Sequence, residues 1–264
     1  MDSDTTLVAA QHGPALEVVR SAGLVRLRLN RPGKLNALNA EICSALTEAL
    51  ADLERDAHTR VVVLEGSGPS FCAGADLAGG NVTETGSGWS ARRWDQGRWQ
   101  RVLEAFDRIP QATVASLHGH VIGGGSLLAA ACDVRIAGDD STMRIPELAL
   151  GIPLTWGGIP LLAREVGLAL TRDWVMSGRE VGPQELLRSG FAQQVVEAEH
   201  LGATVDSYVE GLLSLAPPVL AMTRAMTSAL GRGHPAMTAG WADADLLAAS
   251  LAESALKNGE NEPT

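Results

Sequence analysis

No run of apolar residues in this chain approaches the ~18 that a membrane-spanning helix requires, so a transmembrane protein is not expected. The first residues, MDSDTTLVAAQHG, lack the basic start and apolar stretch of a signal peptide and the arginine-rich character of a transit peptide. Cysteine is scarce. Cys43, Cys72 and Cys132 are odd in number, scattered and without metal-ligand spacing, which points to reduced thiols in a cytoplasmic protein. Positive charge is also short: 21 Lys and Arg against 31 Asp and Glu leave a formal charge of −10. A general nucleic-acid binder would need a basic face, so nucleic acid is not an expected partner. What remains is 45% hydrophobic and 20% charged over 264 residues, which excludes wholesale disorder and is enough for a large core without disulfide or metal staples. One large domain with an appendage fits that length.

Apolar and polar residues alternate over Leu24-Val25-Arg26-Leu27-Arg28-Leu29, the pattern of a half-buried strand. Arg31-Pro32-Gly33 turns the chain, and Asn39 is placed to cap a helix near Ala40–Arg55 with Ile42, Leu46, Ala49, Leu50 and Leu53 on one face. Strands are expected at 60–64, 112–117, 133–137 and 191–196. Helices are expected up to about Arg108, at Ser126–Ala131, up to about Ser189 and after His200. Gly79 to Gly88 reads as a mobile loop. There is no internal sequence repeat. Strands alternating with helices give an α/β fold with a mostly parallel sheet. The expected division is a flexible N-terminus at 1–13, an α/β core at 14–198 and a C-terminal helical segment at 199–264.

Two glycine-rich turns each follow a strand, where ligands of α/β sheets collect. His118-Gly119-His120-Val121-Ile122-Gly123-Gly124-Gly125 can bring free backbone N–H groups to a ligand, or can simply allow tight helix packing. It has neither dinucleotide spacing nor a P-loop Gly-Lys-Ser/Thr. Ser70-Phe71-Cys72-Ala73-Gly74-Ala75-Asp76-Leu77 again exposes backbone, and the two loops could each give one N–H to a single oxyanion. Asp76 itself reads better as a cap for the next helix. Glu147 sits among Ile145, Leu148 and Leu150. Desolvation there would raise its pKa and suit it to proton transfer, although an exposed helix-start glutamate fits the same residues. Gly-x-Ser-x-Gly is absent, and His118 and His120 have no third ligand nearby, so neither a serine hydrolase nor a zinc site is expected. The arginines and tryptophans between Trp89 and Arg101 read as a partly solvated helix face.

Together these motifs resemble the crotonase, or enoyl-CoA hydratase/isomerase, superfamily. The resemblance is carried by Arg31-Pro32-Gly33-Lys34-Leu35-Asn36-Ala37-Leu38-Asn39, Phe71 through Leu77, Gly119 through Gly125, Cys132-Asp133-Val134-Arg135-Ile136-Ala137 and Pro146 through Gly151. It runs from about Glu17 to Val196. It implies a spiral of ββα units with a C-terminal helical segment and an acyl-CoA substrate, in fatty-acid or related acyl-CoA degradation. It also implies homotrimers or dimers of trimers, with no metal and no cofactor beyond the coenzyme A carried on the substrate. The thioester oxygen would meet the N–H groups of Ala75 and Gly124, with Glu147 as the catalytic group. Lys34, Ala73, Asp76, Leu77, Leu127, Thr155 and Trp156 map to substrate- or CoA-binding positions. Hydratases of this family hold water between two glutamates. Here the first of those positions is Leu127, and Thr155-Trp156 crowds the water's place, which favours a single-glutamate double-bond isomerase over a hydratase. A non-catalytic acyl-CoA binder is the third alternative. Family members often hold the CoA phosphates with C-terminal bases, yet residues 234–264 carry one base, Lys257, against five acidic residues.

Overall fold

In the structure, a computed structural model, residues 8–11, 14–77 and 89–233 are described, with side chains from 14–77 and 93–233. Strands β1 (Val8–Gln11), β2 (Leu16–Ser21) and β3 (Leu24–Leu29) pair antiparallel. β4 (Val61–Gly66) and β5 (Ala112–Leu117) then join β3 in parallel. β6 (His120–Ile122) leaves the main sheet, β7 (Val134–Gly138) returns to it, and β8 (Thr142–Arg144) pairs in parallel with β6. β9 (Gln194–Val196) closes the main sheet beside β7, giving the order β1-β2-β3-β4-β5-β7-β9.

β3, β4, β5 and β7 are each followed by a second, shorter extended segment and then by a helix. After β3, Leu38 bridges to Ala75 and α1 (Ala40–Glu54) begins. After β4, Cys72 bridges to Val121, and α2 (Trp89–Gln96) and α3 (Arg98–Arg108) follow. β5 is followed by β6 and α4 (Gly124–Ala130), and β7 by β8 and α5 (Gly158–Ser177). This is the spiral of ββα units that the resemblance implied. Helices α6 (Pro183–Arg188), α7 (Leu201–Ser214) and α8 (Pro217–Arg232) complete the described chain. None of the described helices is long and apolar enough to cross a membrane.

Burial on both faces explains why β4 is a continuous apolar run. Val62 and Leu64 belong to the main core with Ile42, Leu46 and Leu50 of α1 and Val102 and Phe106 of α3. Val61 and Val63 point the other way, onto Leu201, Val205 and Val209 of α7. α1 starts where expected, because the Asn39 side chain accepts the Ile42 N–H at 3.0 Å. α8 is pinned across the sheet by Arg224, whose buried guanidinium meets Asp133 at 2.9 Å and donates to the carbonyls of Phe106 and Ile109.

Three expectations change. Val8–Gln11 was assigned to a flexible start, yet it forms β1, which covers the otherwise open edge of β2. The glycine-rich turn before α4 contains β6, because its backbone pairs with β8. The last strand is shorter than expected, because Phe191 turns inward onto Trp174 at a centroid distance of 6.1 Å. The segments 78–88 and 234–264, which hold the expected mobile loop, Lys257 and the apolar Leu246, Leu247 and Leu251, lie outside the described residues.

The turn between β3 and α1 is held by Asn36. It is fully buried at a left-handed φ of 56°, a conformation asparagine tolerates better than most residues. Its side-chain oxygen accepts the Arg31 N–H at 2.9 Å, and its amide donates to Ser67 O at 2.9 Å and Ser70 O at 2.7 Å. Asn36→Ala strands these buried groups and adds strain at the same time. It should cost about 2–4 kcal/mol in unfolding free energy, measured by urea denaturation. A loss under ~0.5 kcal/mol would show that water replaces the side chain.

Candidate active site

β3, β4 and β5 are parallel neighbours, so the segments beyond their C-terminal ends are neighbours as well. Leu38 donates its N–H to Gly74 O at 2.7 Å and accepts the Asp76 N–H at 2.9 Å. Those two bonds straddle Ala75 and leave its N–H turned away from Leu38. Cys72 accepts the Ile122 N–H at 2.9 Å, which fixes the second loop against the first. The approach is close enough that a Cβ on Gly74 would stand 2.9 Å from Ile122 O and 3.8 Å from Gly124 N. Gly124 opens α4, so its N–H precedes the helical hydrogen-bond ladder. Among the described residues no acceptor engages either N–H, and both residues line one cavity of about 70 Å³. Two such donors can stabilise negative charge that develops on an oxygen placed between them.

Glu147 reaches the same cavity from a short 3-10 turn, Glu147–Leu150. A Cβ on Gly123 would meet its Oε1 at 2.5 Å, so the carboxyl occupies the space that any larger residue there would take. Gly123 also has φ 50°, which only glycine adopts readily. Glu147 Oε2 is out of solvent contact and has no hydrogen-bond partner among the described residues. Burial pushes this carboxyl up to about 7, against a smaller opposing effect of its own backbone N–H. Of the two sequence-based readings, the desolvated acid is the one observed.

Leu127, Thr155 and Trp156 complete the apolar side of the cavity. Leu127 is 1% exposed and, like Leu154, packs over Gly158. The Trp156 ring lies over Gly124, where a Cβ would meet it at 2.3 Å, and stacks on Trp99 with centroids 5.2 Å apart. Leu77 stands at the mouth, 58% exposed. Lys34, Ala73 and Asp76 do not line the cavity. Lys34 is exposed on the turn before α1. The Ala73 N–H donates to Leu35 O at 2.9 Å. Asp76 pairs with Arg31 at 2.9 Å, and residues 78–88, where a helix for it to cap would begin, lie outside the described residues.

The sequence places the wall of the pocket in the loop and helix between Gly79 and Arg108, and α2 and α3 supply it, although no residue there was singled out as a site residue. Asp95, Gln96, Arg98 and Trp99 all line the cavity. Trp99 signalled only a core stripe, which it also joins, at 4% exposure. His118 and His120 are engaged locally: His118 Nε2 lies 3.0 Å from Gly68 O, and His120 Nδ1 shares a 2.9 Å hydrogen bond with Ser70 Oγ.

The sequence model of the enoyl-CoA hydratase/isomerase family matches residues 19–262. A short-chain-enoyl-CoA hydratase of Clostridium acetobutylicum is 30% identical over 206 residues, covering 78% of this chain and 76% of that protein. A carnitinyl-CoA dehydratase of Salmonella arizonae is 31% identical over 217 residues, covering 81% and 80%. The crystal structure of an enoyl-CoA hydratase from Bacillus anthracis superposes with a TM-score of 0.74 at 26% identity, covering 86% of this chain and 90% of that one.

The raised pKa of Glu147 carries a stability signature. The folded state holds the proton after the unfolded chain has released it, so stability falls as pH rises from the ordinary carboxylate value of 4.5 through about 7. Wild type should therefore lose stability relative to Glu147→Gln across that window, with a slope of at most ~1.4 kcal/mol per pH unit, and run parallel to it above. Urea denaturation of both proteins across pH measures this. A constant difference would place the carboxyl in solvent.

Proposed function

The chain belongs to the enoyl-CoA hydratase/isomerase family, and on that premise we propose that it moves a double bond in an enoyl-CoA thioester, with Glu147 as the proton shuttle. The thioester oxygen rests between the N–H groups of Ala75 and Gly124. The Glu147 carboxylate takes a proton from C2 of a 3-enoyl-CoA, and the negative charge spreads onto the thioester oxygen. The two N–H groups stabilise that dienolate, each contributing about 3–4 kcal/mol by analogy with measured oxyanion donors. The proton on Glu147 then passes to C4, leaving the 2-enoyl-CoA and a regenerated carboxylate. A carboxyl near pKa 7 suits both halves of this exchange, because it gives the proton up as readily as it takes it. The reading needs no separate cofactor, since coenzyme A arrives on the substrate. The three cysteines are buried free thiols, Cys72 and Cys132 pushed up to about 12 by burial, so they are poor nucleophiles in this scheme.

The observation that carries the proposal is the unpartnered Glu147 Oε2 in a cavity that also holds two free N–H groups and the apolar Leu127. Leucine can neither bind nor deprotonate water, whereas an apolar wall protects a dienolate from it. Hydration is the second reading. Two observations favour it: Asp95 is another carboxylate at the cavity, and the relatives above are named as a hydratase and a dehydratase.

A product assay on 3-enoyl- and 2-enoyl-CoA substrates separates these readings. The proposal predicts 2-enoyl-CoA from 3-enoyl-CoA, little 3-hydroxyacyl-CoA, and a loss of about 10²–10⁴-fold in Glu147→Gln. Rapid hydration of 2-enoyl-CoA that is lost in Asp95→Asn would establish the second reading instead. Binding without turnover of either substrate would leave a non-catalytic acyl-CoA binder.

A further inference from the structure

A second cavity, of about 290 Å³, lies beyond the first. Its floor is apolar, made by Leu103 of α3, Ala131 after α4, and Pro160 and Leu161 of α5. Its edge carries charge that is already paired, with Asp107 3.5 Å from Arg164 and 3.2 Å from Arg232. The two cavities follow the same helices. Trp99 and Leu127 line the first, while Leu103 and Ala131, each four residues on, line the second. They are therefore about one helical turn, ~5–6 Å, apart. Among the described residues Trp156 is the one side chain that lines both.

Trp156 is held in place at a cost. Its φ of 63° is left-handed, a genuine outlier for a bulky side chain. Strain of this kind persists only where the surroundings over-determine it. Here they do so through the stack on Trp99, at 5.2 Å and 22°, and through the contact with Gly124.

We propose that Trp156, braced by Trp99, is the wall that ends the acyl pocket. It confines the substrate to short acyl chains and seals off an apolar extension that longer chains would otherwise fill. This inference rests on the acyl-CoA reading given above, but not on which reaction follows binding. Saturated acyl-CoA thioesters, which cannot isomerise or hydrate, therefore make the appropriate probes.

Calorimetry with butyryl-CoA and octanoyl-CoA tests it on the full chain. Wild type should bind butyryl-CoA at least tenfold more tightly than octanoyl-CoA. Trp156→Gly, which also relieves the left-handed strain, should shift that ratio at least tenfold towards octanoyl-CoA. Adding Ala131→Leu, which fills the second cavity from its floor, should return the ratio towards wild type. Trp156→Leu should fall between wild type and Trp156→Gly, and it serves if the glycine variant does not fold. A wild type that binds both thioesters alike, or a ratio unmoved by either Trp156 substitution, would overturn the wall. Failure of wild type to bind either thioester would instead overturn the acyl-CoA reading on which it rests.

Discussion

The site depends on backbone approaching backbone at one end of the sheet. Parallel neighbours in a sheet lie about 4.8 Å apart, so the loops that leave β3, β4 and β5 must either diverge or pair. They pair, through Leu38 with Ala75 and Cys72 with Val121. Side chains at the crossing would force them apart, as the 2.9 Å approach of a Cβ on Gly74 to Ile122 O makes plain. The pairing uses up the N–H groups on one side of each loop. It leaves those of Ala75 and Gly124 turned into a shared cavity. The position of two donors is thus set by strand spacing, which is far stiffer than any side chain could be. Asn36 reinforces it by tying the first loop to the carbonyls of Ser67 and Ser70 in the second.

Glu147 is the complementary element. Among the described residues the fold leaves its carboxyl buried and without a partner, in the cavity that Ala75 and Gly124 also line. Burial of an unpaired carboxyl is unfavourable, and groups held at such a cost cluster at functional sites, which is what the proposed proton shuttle would use. Trp156 shows the same trade in backbone strain. Both residues oppose local stability, and both are held by packing from elements distant in sequence: Gly123 behind the carboxyl, and Trp99 and Gly124 around the indole.

Much of this was legible in the sequence where local rules decide. Asn39 caps α1 and the apolar stripe of that helix is buried, because caps and helical periodicity are short-range properties. The two glycine-rich turns and Glu147 were legible as candidates for the same reason. Local residues left Glu147 open between a buried base and an exposed helix start, and the difference lies in what folds over it. The wall was legible as a stretch, 79–108, but the individual residues Asp95, Gln96, Arg98 and Trp99 were not, since which side chains face the cavity depends on where α2 and α3 settle over it. Asp76 also pairs with Arg31 across the loop, a long-range partner that no local rule reveals. The structural repeat of ββα units leaves no sequence repeat, because each unit packs against different neighbours.

The central claim is that one buried carboxyl carries a proton from one carbon to another in a site closed to water. It is tested most directly with a 3-enoyl-CoA deuterated at C2, turned over in ordinary water and analysed by mass spectrometry and NMR. The account predicts 2-enoyl-CoA with part of the deuterium delivered to C4, because the label stays on Glu147 between the two steps. A product with no deuterium at C4, its new hydrogen drawn wholly from solvent, or a 3-hydroxyacyl-CoA as the main product, would contradict it.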